Sequence, residues 1–357
     1  MPLAGRKVMP VSCQERVAFL AGWAEGCAAR LACMLEAALL EGLARHEEPA
    51  PQLLDGYAAV LAISYVGSWT ARSQLLESVA RHWLVSPGEF HAVDESARQR
   101  ARAFLRNSCL CLAAAVGGRP QLLVPGSLER IRAYQHPCGG FFAIAPGQAH
   151  GMVDAFTTAW GGRVALRFGM SDVACSAGHF LKRLLELQPE PERAFYFAYD
   201  TYLQSPVVRV PSQPEASYRL AWQEGTGELH QVGAPIALLA ELALTEPEAQ
   251  WLEPLNGYLD LVQTLRPELL AQDMLGQLSE GLALACSALR KEAQGKCSSL
   301  LEACAQQLVP RVRGWEQRGS SGAETAGLDE RGFSPLEEQG WLALSLLGMA
   351  GALAPYC

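Results

Sequence analysis

The sequence predicts an all-α protein folded as an α/α toroid, a ring of helical hairpins, with one small β-hairpin inserted. About a dozen segments repeat apolar residues at the spacing of a helix. Residues 60–88, 165–191 and 288–311 share one pattern: an apolar helix end, a short turn and an amphipathic second helix. Apolar helices beside amphipathic ones suggest two concentric layers. The unequal lengths of the repeats favour a closed ring over a uniform open solenoid.

The N-terminal half carries start and stop signals at the ends of its helical segments. Ser12 and Glu15 have the spacing of a capping box, which predicts the start of a long helix that ends before His46. The pair Gly117-Gly118 can close another helix in the left-handed conformation. Helical patterns cover 52–66, 71–84 and 94–116, and 119–146 is predicted to be rich in loops.

The segment 147–200 organises the rest of the chain. We expect its first helix over about 149–168, a tight turn at 169–171 and a second helix to about 187. His150 and Asp154 are four residues apart and would share one helical face. This pattern predicts that the polar N-terminal end of the helix faces a central cavity.

The C-terminal half contains the strand signal. Residues 218–223 and 228–232 flank a Gly-Thr-Gly turn and predict a small β-hairpin within about 217–233. A Gly/Ser-rich stretch over about 316–333 predicts a mobile loop. Helical patterns cover 236–244, 246–265, 274–291, 297–312 and 336–353. We expect residues 1–357 to form a single toroid domain.

Composition excludes several partner classes. Of the 357 residues, half are hydrophobic and 18% are charged, and the net charge is −8, so the chain offers no basic stripe for nucleic acid. No uncharged apolar run reaches transmembrane length, and the first residues lack the apolar core of a secretory signal. Eleven cysteines, an odd number scattered through apolar stretches, suit reduced thiols. We therefore expect a cytoplasmic protein with no transmembrane segment.

Residues 158–200 resemble the α/α-toroid proteins of the terpenoid-cyclase and protein-prenyltransferase superfamily, most closely the cyclase-like members of bacterial natural-product pathways. Residues 280–314 look like a later hairpin of that toroid, and 336–353 like its closing helix. The resemblance is a pattern of helix packing over about half of the chain, so it implies fold more than function. It implies a cyclase-like role.

The chain departs from that superfamily in its reactive motifs. It has no D-x-D-D acid motif, no aspartate-rich motif for a magnesium diphosphate and no evident zinc set of Cys and His. The sequence GQAHG at 147–151 faintly resembles lanthionine cyclases, whose other zinc motifs have no counterpart here. We therefore predict no metal and no cofactor.

Four residues are candidate catalytic groups: His150, Asp154, Asp200 and Glu280. Asp154 could orient the His150 imidazole, although an acid in a first helical turn can equally complement the helix dipole. Asp200 could complete an acid–base pair with Asp154, or simply start a turn. Glu280 is the one charge beside a long apolar run, so it could face the cavity or belong to a first turn.

Candidate substrate-binding residues are Tyr65, Trp69, Thr157, Thr158, Trp160 and Tyr199. The aromatic side chains could line an apolar pocket, and the threonine hydroxyls could hydrogen-bond a substrate. Core packing and bonding back to the helix are the commoner roles of such residues.

These observations lead to one functional hypothesis and two alternatives. The hypothesis is a cofactor-independent cyclase or lyase that shields and orients a small-molecule substrate for ring closure or elimination. The first alternative is a carbohydrate-active α/α-barrel lyase or hydrolase, which needs two cavity carboxylates at a defined separation. The second is a non-catalytic scaffold for a partner subunit. A protein partner or a homo-oligomer is compatible with each.

Overall fold

The computed structural model describes residues 13–44, 51–91, 95–122, 126–145, 151–209, 218–221, 228–246, 249–263, 275–289, 291–318 and 335–354. The helices within these residues are α1 Cys13–Ala44, α2 Tyr57–Val66, α3 Trp69–Trp83, α4 Ala97–Ala101, α5 Ala103–Val116, α6 Ser127–Ala133, α7 Ala155–Arg167, α8 Ser171–Glu186, α9 His230–Thr245, α10 Leu252–Gln263, α11 Leu275–Ala288, α12 Lys291–Arg318 and α13 Pro335–Leu353. The strands are β1 Leu84–Ser86, β2 Glu89–Phe90, β3 Met152–Asp154, β4 Ala194–Tyr196, β5 Ala198–Asp200, β6 Ser205–Pro206 and β7 Arg219–Ala221.

Six helices form a closed inner ring. In order around the ring they are α2, α5, α7, α9, α11 and α13, and α13 packs against α2 to complete the circle. Neighbouring helices meet start to start: the Tyr57 hydroxyl at the start of α2 donates to Glu337 at the start of α13. The Phe156 amide at the start of α7 likewise donates to Gln231 in α9. The inner helices therefore run parallel, and the predicted toroid is confirmed.

A second layer of helices covers the ring from outside. Helix α1 packs on α13 and α2, α8 on α7, α10 on α9, and α12 on α11. Inner and outer helices differ in burial. The inner helix α9 is buried at every residue from His230 to Leu242. Helix α8 buries only a stripe that includes Val173, Ala177 and Leu184. An inner helix contacts neighbours on all sides, whereas an outer helix has one solvent-exposed face.

Glycines let the inner helices approach closely. A Cβ on Gly233 of α9 would lie 2.5 Å from the backbone of Leu278, and a Cβ on Gly281 of α11 would lie 2.4 Å from the Gly233 carbonyl oxygen. At the α13–α2 contact, a Cβ on Gly340 would lie 2.3 Å from the Ala59 nitrogen. These contacts leave no room for a larger residue and bring the ring helices together.

Several predicted elements need correction. The strand within 218–223 exists as β7, but it pairs with β4 rather than with 228–232, because the chain turns helical at His230. The central hairpin begins with strand β3, which pairs with β5, so α7 starts at Ala155 and not near 149. The region 119–146 contains helix α6. Most of the predicted mobile loop at 316–333 lies outside the described residues.

One described segment, Ala18–Glu41 within α1, is long and apolar enough by composition to cross a membrane. In this structure part of the segment, Leu31 and Leu35 included, is buried against the ring helices α2 and α13, whereas Phe19 is 72% exposed. The nine cysteines whose side chains are described carry thiols rather than disulfides.

Candidate functional site

The inner ring encloses a cavity of about 680 Å³ that all six of its helices line. Ligand pockets span roughly 300 to 1,000 Å³, so this space can hold a small molecule. Most of the wall is aliphatic or aromatic, and its charged side chains are Arg163 and Arg167 of α7, Glu241 of α9 and Glu280 of α11.

The cavity opens at the C-terminal ends of the ring helices. Tyr65 near the end of α2 is 42% exposed and Leu244 near the end of α9 is 50% exposed. At the opposite end, Phe156 of α7 and Trp341 of α13 are only 6% and 3% exposed. The sequence predicted that a polar N-terminal end of the central helix faces the cavity. For the described residues that prediction is wrong, because Phe156 of α7 lines this end and its ring meets Trp341 of α13 edge to face.

An arginine in the cavity wall holds two glutamates. Arg163 donates to both oxygens of Glu241, with Nε–Oε2 at 3.0 Å and Nη2–Oε1 at 3.1 Å, and Nη2 also donates to Glu280 Oε1 at 2.6 Å. Arg167 adds a 3.2 Å hydrogen bond to Glu241. Burial would lower the pKa of Arg163, but the two carboxylates raise it well above its ordinary value. The guanidinium therefore stays charged.

The two carboxylates lie close together. Both Oε1 atoms are hydrogen-bonded to the same Arg163 nitrogen, at 3.1 and 2.6 Å, so the two distances end to end limit their separation to about 5.7 Å. Burial raises the pKa of Glu280, and the Arg163 guanidinium offsets only part of this effect. Gly348 of α13 makes room for Glu280, since a Cβ there would lie 2.0 Å from Oε1.

Aromatic side chains and one amide form the closed end. The Trp160 and Trp341 rings meet edge to face with their centres 4.9 Å apart, and the Trp160 indole donates to Ser108 at 2.9 Å. Gln277 of α11 lines the same end, is 5% exposed, and has no hydrogen-bond partner in the described structure for either of its buried side-chain amide atoms. An apolar end thus carries one unsatisfied donor and one unsatisfied acceptor.

Three of the predicted site residues meet in this cavity: Glu280, Tyr65 and Trp160. Asp154 lies elsewhere and caps α7, accepting from the Thr157 amide and hydroxyl at 2.7 Å each. Burial raises the pKa of Asp154, and the bonds from Thr157 act in the opposite direction.

The remaining predicted site residues also lie apart from the cavity wall. Thr158 is buried and accepts from the Phe141 amide, and Tyr199 packs edge-on against Phe180. The Asp200 carboxylate accepts from two amides of the following turn, at Tyr202 and Leu203. Trp69 is 59% exposed, and Arg72 lies over its ring. His150 lies outside the described residues, so the structure does not test its predicted pairing with Asp154.

Sequence reasoning missed Arg163, Arg167, Glu241 and Gln277. A signal for Glu241 exists, because it is a single charge within the apolar run 236–244, the same feature that drew attention to Glu280. Arg163 lies in a helix that is otherwise apolar around it. Among the described residues, no three His, Cys, Asp or Glu side chains converge as metal ligands.

Comparison with known proteins supports the fold. No protein-family model and no curated sequence matches the chain. A solved structure of similar shape is GH76A, an α-1,6-mannanase of Salegentibacter sp. HEL1_6, in an inactive variant with α-1,6-mannotriose bound. The match covers 91% of this chain and 99% of that one, with a TM-score of 0.51 and 12% identity. At that identity it shows the toroid fold alone.

The comparison corrects one expectation. The resemblance to terpenoid-cyclase-like proteins of natural-product biosynthesis is wrong beyond the shared toroid, because the matching structure is a mannanase, a carbohydrate-degrading enzyme. The resemblance rested on helix packing, which toroids of different activities have in common. The inactive mannanase variant has two consecutive aspartates replaced by asparagine, and this chain contains no two consecutive aspartates.

Proposed function

We propose that this protein is a carbohydrate-active α/α-barrel hydrolase that cleaves a glycoside in its central cavity. The observation that carries the proposal is the pair Glu241 and Glu280, held by one arginine with their Oε1 atoms at most about 5.7 Å apart. Retaining glycosidases place their carboxyl groups about 5 to 5.5 Å apart, whereas inverting enzymes need about 6.5 to 9.5 Å. The short separation favours retention of configuration.

The surroundings of the two carboxylates suggest different roles. Glu241 accepts hydrogen bonds from two guanidinium groups, those of Arg163 and Arg167, and would attack the anomeric carbon. Burial raises the pKa of Glu280, and among the described residues Arg163 donates to its Oε1 while Oε2 accepts no hydrogen bond. It would give its proton to the leaving oxygen as the glycosidic bond breaks. Water would then attack the glycosyl–enzyme ester, with Glu280 taking the proton back.

The test is hydrolysis by the purified protein of α-1,6-mannotriose and a panel of aryl glycosides, with the products separated by chromatography. We expect E280Q and E241Q each to lower turnover by about 10²-fold or more. E253Q is the matched control, because Glu253 carries the same side chain in an exposed pair with Lys182. NMR of the first product should show retained anomeric configuration. Failure to cleave any glycoside, or full activity in E280Q, would refute the proposal.

A further inference from the structure

We infer that the substrate is an amphiphilic glycoside, with its sugar at the closed end of the cavity and an apolar aglycone filling the mouth. This inference rests on the proposed hydrolase function and names the substrate class of the same site. It follows from the order in which polar and apolar groups succeed one another along the cavity axis.

The closed end has the chemistry of a sugar site. Gln277 brings an amide donor and an amide acceptor there, both buried and without a hydrogen-bond partner in the described structure. A buried amide left without partners is destabilising, and a ligand hydroxyl would supply the missing hydrogen bonds. The edge-to-face rings of Trp160 and Trp341 lie at the same end. One polar group among aromatic rings suits a single pyranose.

The carboxylates come next along the axis. Glu280 follows Gln277 by three residues on α11, an axial rise of about 4.5 Å. Glu241 reaches the same level through Arg163. A sugar bound at Gln277 would therefore present its glycosidic bond between the carboxylates, with the leaving group directed to the mouth.

The wall above the carboxylates is apolar. Leu284 of α11 and Leu344 and Leu347 of α13 line it, and Val66 and Leu244 are exposed at the rim. The polar side chains of this part are few: the Ser287 hydroxyl donates to the Ala352 carbonyl, Arg167 donates to Glu241, and Tyr65 is half-exposed at the rim. A further sugar unit would find few hydroxyl partners here, whereas an alkyl or aryl group would bury its surface.

The test measures binding to the E280Q protein, which removes turnover, by titration calorimetry below the critical micelle concentration. The probes are the methyl and n-octyl glycosides of mannose, glucose and galactose, with octyl tetraethylene glycol as a sugar-free control. For the preferred sugar, the octyl glycoside should bind about tenfold tighter than the methyl glycoside, or better.

Variants separate the two halves of the inference. Q277L should weaken binding of both glycosides by about tenfold while leaving octyl tetraethylene glycol unchanged, and should not lower the melting temperature of the empty protein. A purely structural Gln277 would instead show a lowered melting temperature. L244S should reduce the octyl advantage several-fold, and L203S, at an exposed leucine outside the cavity wall, should not.

The outcomes distinguish this inference from the proposed function. Hydrolysis of α-1,6-mannotriose with equal binding of octyl and methyl glycosides would overturn the apolar aglycone and leave the hydrolase proposal standing. The sugar site would be overturned if octyl tetraethylene glycol bound as tightly as the octyl glycoside and Q277L left the affinity for the octyl glycoside unchanged. Tight, Gln277-dependent binding of octyl glycosides that wild-type protein never cleaves would support the ligand class and refute hydrolysis.

Discussion

Replacing Gly348 by alanine should disconnect Glu280 from Arg163. The new Cβ would lie 2.0 Å from Glu280 Oε1, 2.5 Å from Cδ and 2.8 Å from Cγ, so the carboxylate has to move. Oε1 ends a flexible side chain and can swing away, but only by giving up its 2.6 Å hydrogen bond to Arg163. The stability cost is therefore that of a buried, charge-assisted hydrogen bond.

The magnitude follows from two opposing effects. A hydrogen bond to a charged group contributes about 1.5 to 3 kcal/mol, and alanine is favoured over glycine inside a helix by up to about 1 kcal/mol. The net loss for G348A should be about 1 to 2 kcal/mol in the free energy of unfolding. G351A is the matched control one turn later on α13, because its Cβ meets nothing within 4 Å and only the helix preference remains.

Urea denaturation followed by circular dichroism measures both variants against wild type. We expect a lower midpoint for G348A and an equal or higher midpoint for G351A, with unchanged slopes that show the same surface exposed on unfolding. Glycoside hydrolysis should fall in G348A and persist in G351A. Equal stability of the two variants would show that Glu280 is not held between α13 and Arg163, and the carboxylate pair would lose its structural basis.

Three further changes test other parts of the structure. D154A should lose about 1 kcal/mol of stability, measured by thermal melting, because it removes the helix cap. D154S should lose very little, since serine also caps helices. A D154S variant that is stable but no longer hydrolyses glycosides would instead support the predicted catalytic role of Asp154. G233A should lower the free energy of unfolding in urea by about 1 to 3 kcal/mol, because its Cβ meets the Leu278 backbone, which cannot swing aside. G314A places its Cβ in open space and should cause no such loss. Equal losses would refute the close contact between α9 and α11. Burial raises the pKa of Glu280, so above the ordinary carboxyl range the folded state still holds a proton that the unfolded chain has released. The free energy of unfolding of wild type should therefore fall relative to that of E280Q as the pH rises. Melting temperatures across pH check this, and a relative gain for wild type would contradict it.

The sequence predicts the helices and their arrangement because these depend on local spacing. Helix α9 is apolar on nearly all sides and is buried without a break, whereas α8 has apolar residues at helical intervals and buries one stripe. The errors fall where a non-local contact decides. Strand β7 pairs with β4, about 25 residues earlier in the chain, and β3 pairs with β5 across the whole hairpin. No local pattern around Arg219 or Met152 encodes its partner.

The site was only partly predictable for the same reason. Arg163 is 78 residues from Glu241 and 117 from Glu280, so no motif of fixed spacing contains the three. What local sequence offers is a charge inside an apolar helix, which must find a partner once the helix is buried. That criterion singled out Glu280, and applied evenly it would have found Glu241 and Arg163. Asp154 lies at the start of α7 and finds its hydrogen-bond partner locally, because its carboxylate caps the helix by accepting from the Thr157 amide.

The absence of consecutive aspartates bears on how this toroid could act on a glycoside. The mannanase variant of similar fold is inactive with its two neighbouring aspartates replaced, and they are adjacent in its chain. In the described part of the present cavity wall the only carboxylates are Glu241 and Glu280, on two neighbouring helices of the ring. Parallel inner helices of a closed ring can each present a side chain at the same depth, so two carboxylates can meet without being adjacent in sequence. In the proposed hydrolase the pair assembled across α9 and α11 would supply the two carboxylates, and mutation of either member should lower turnover.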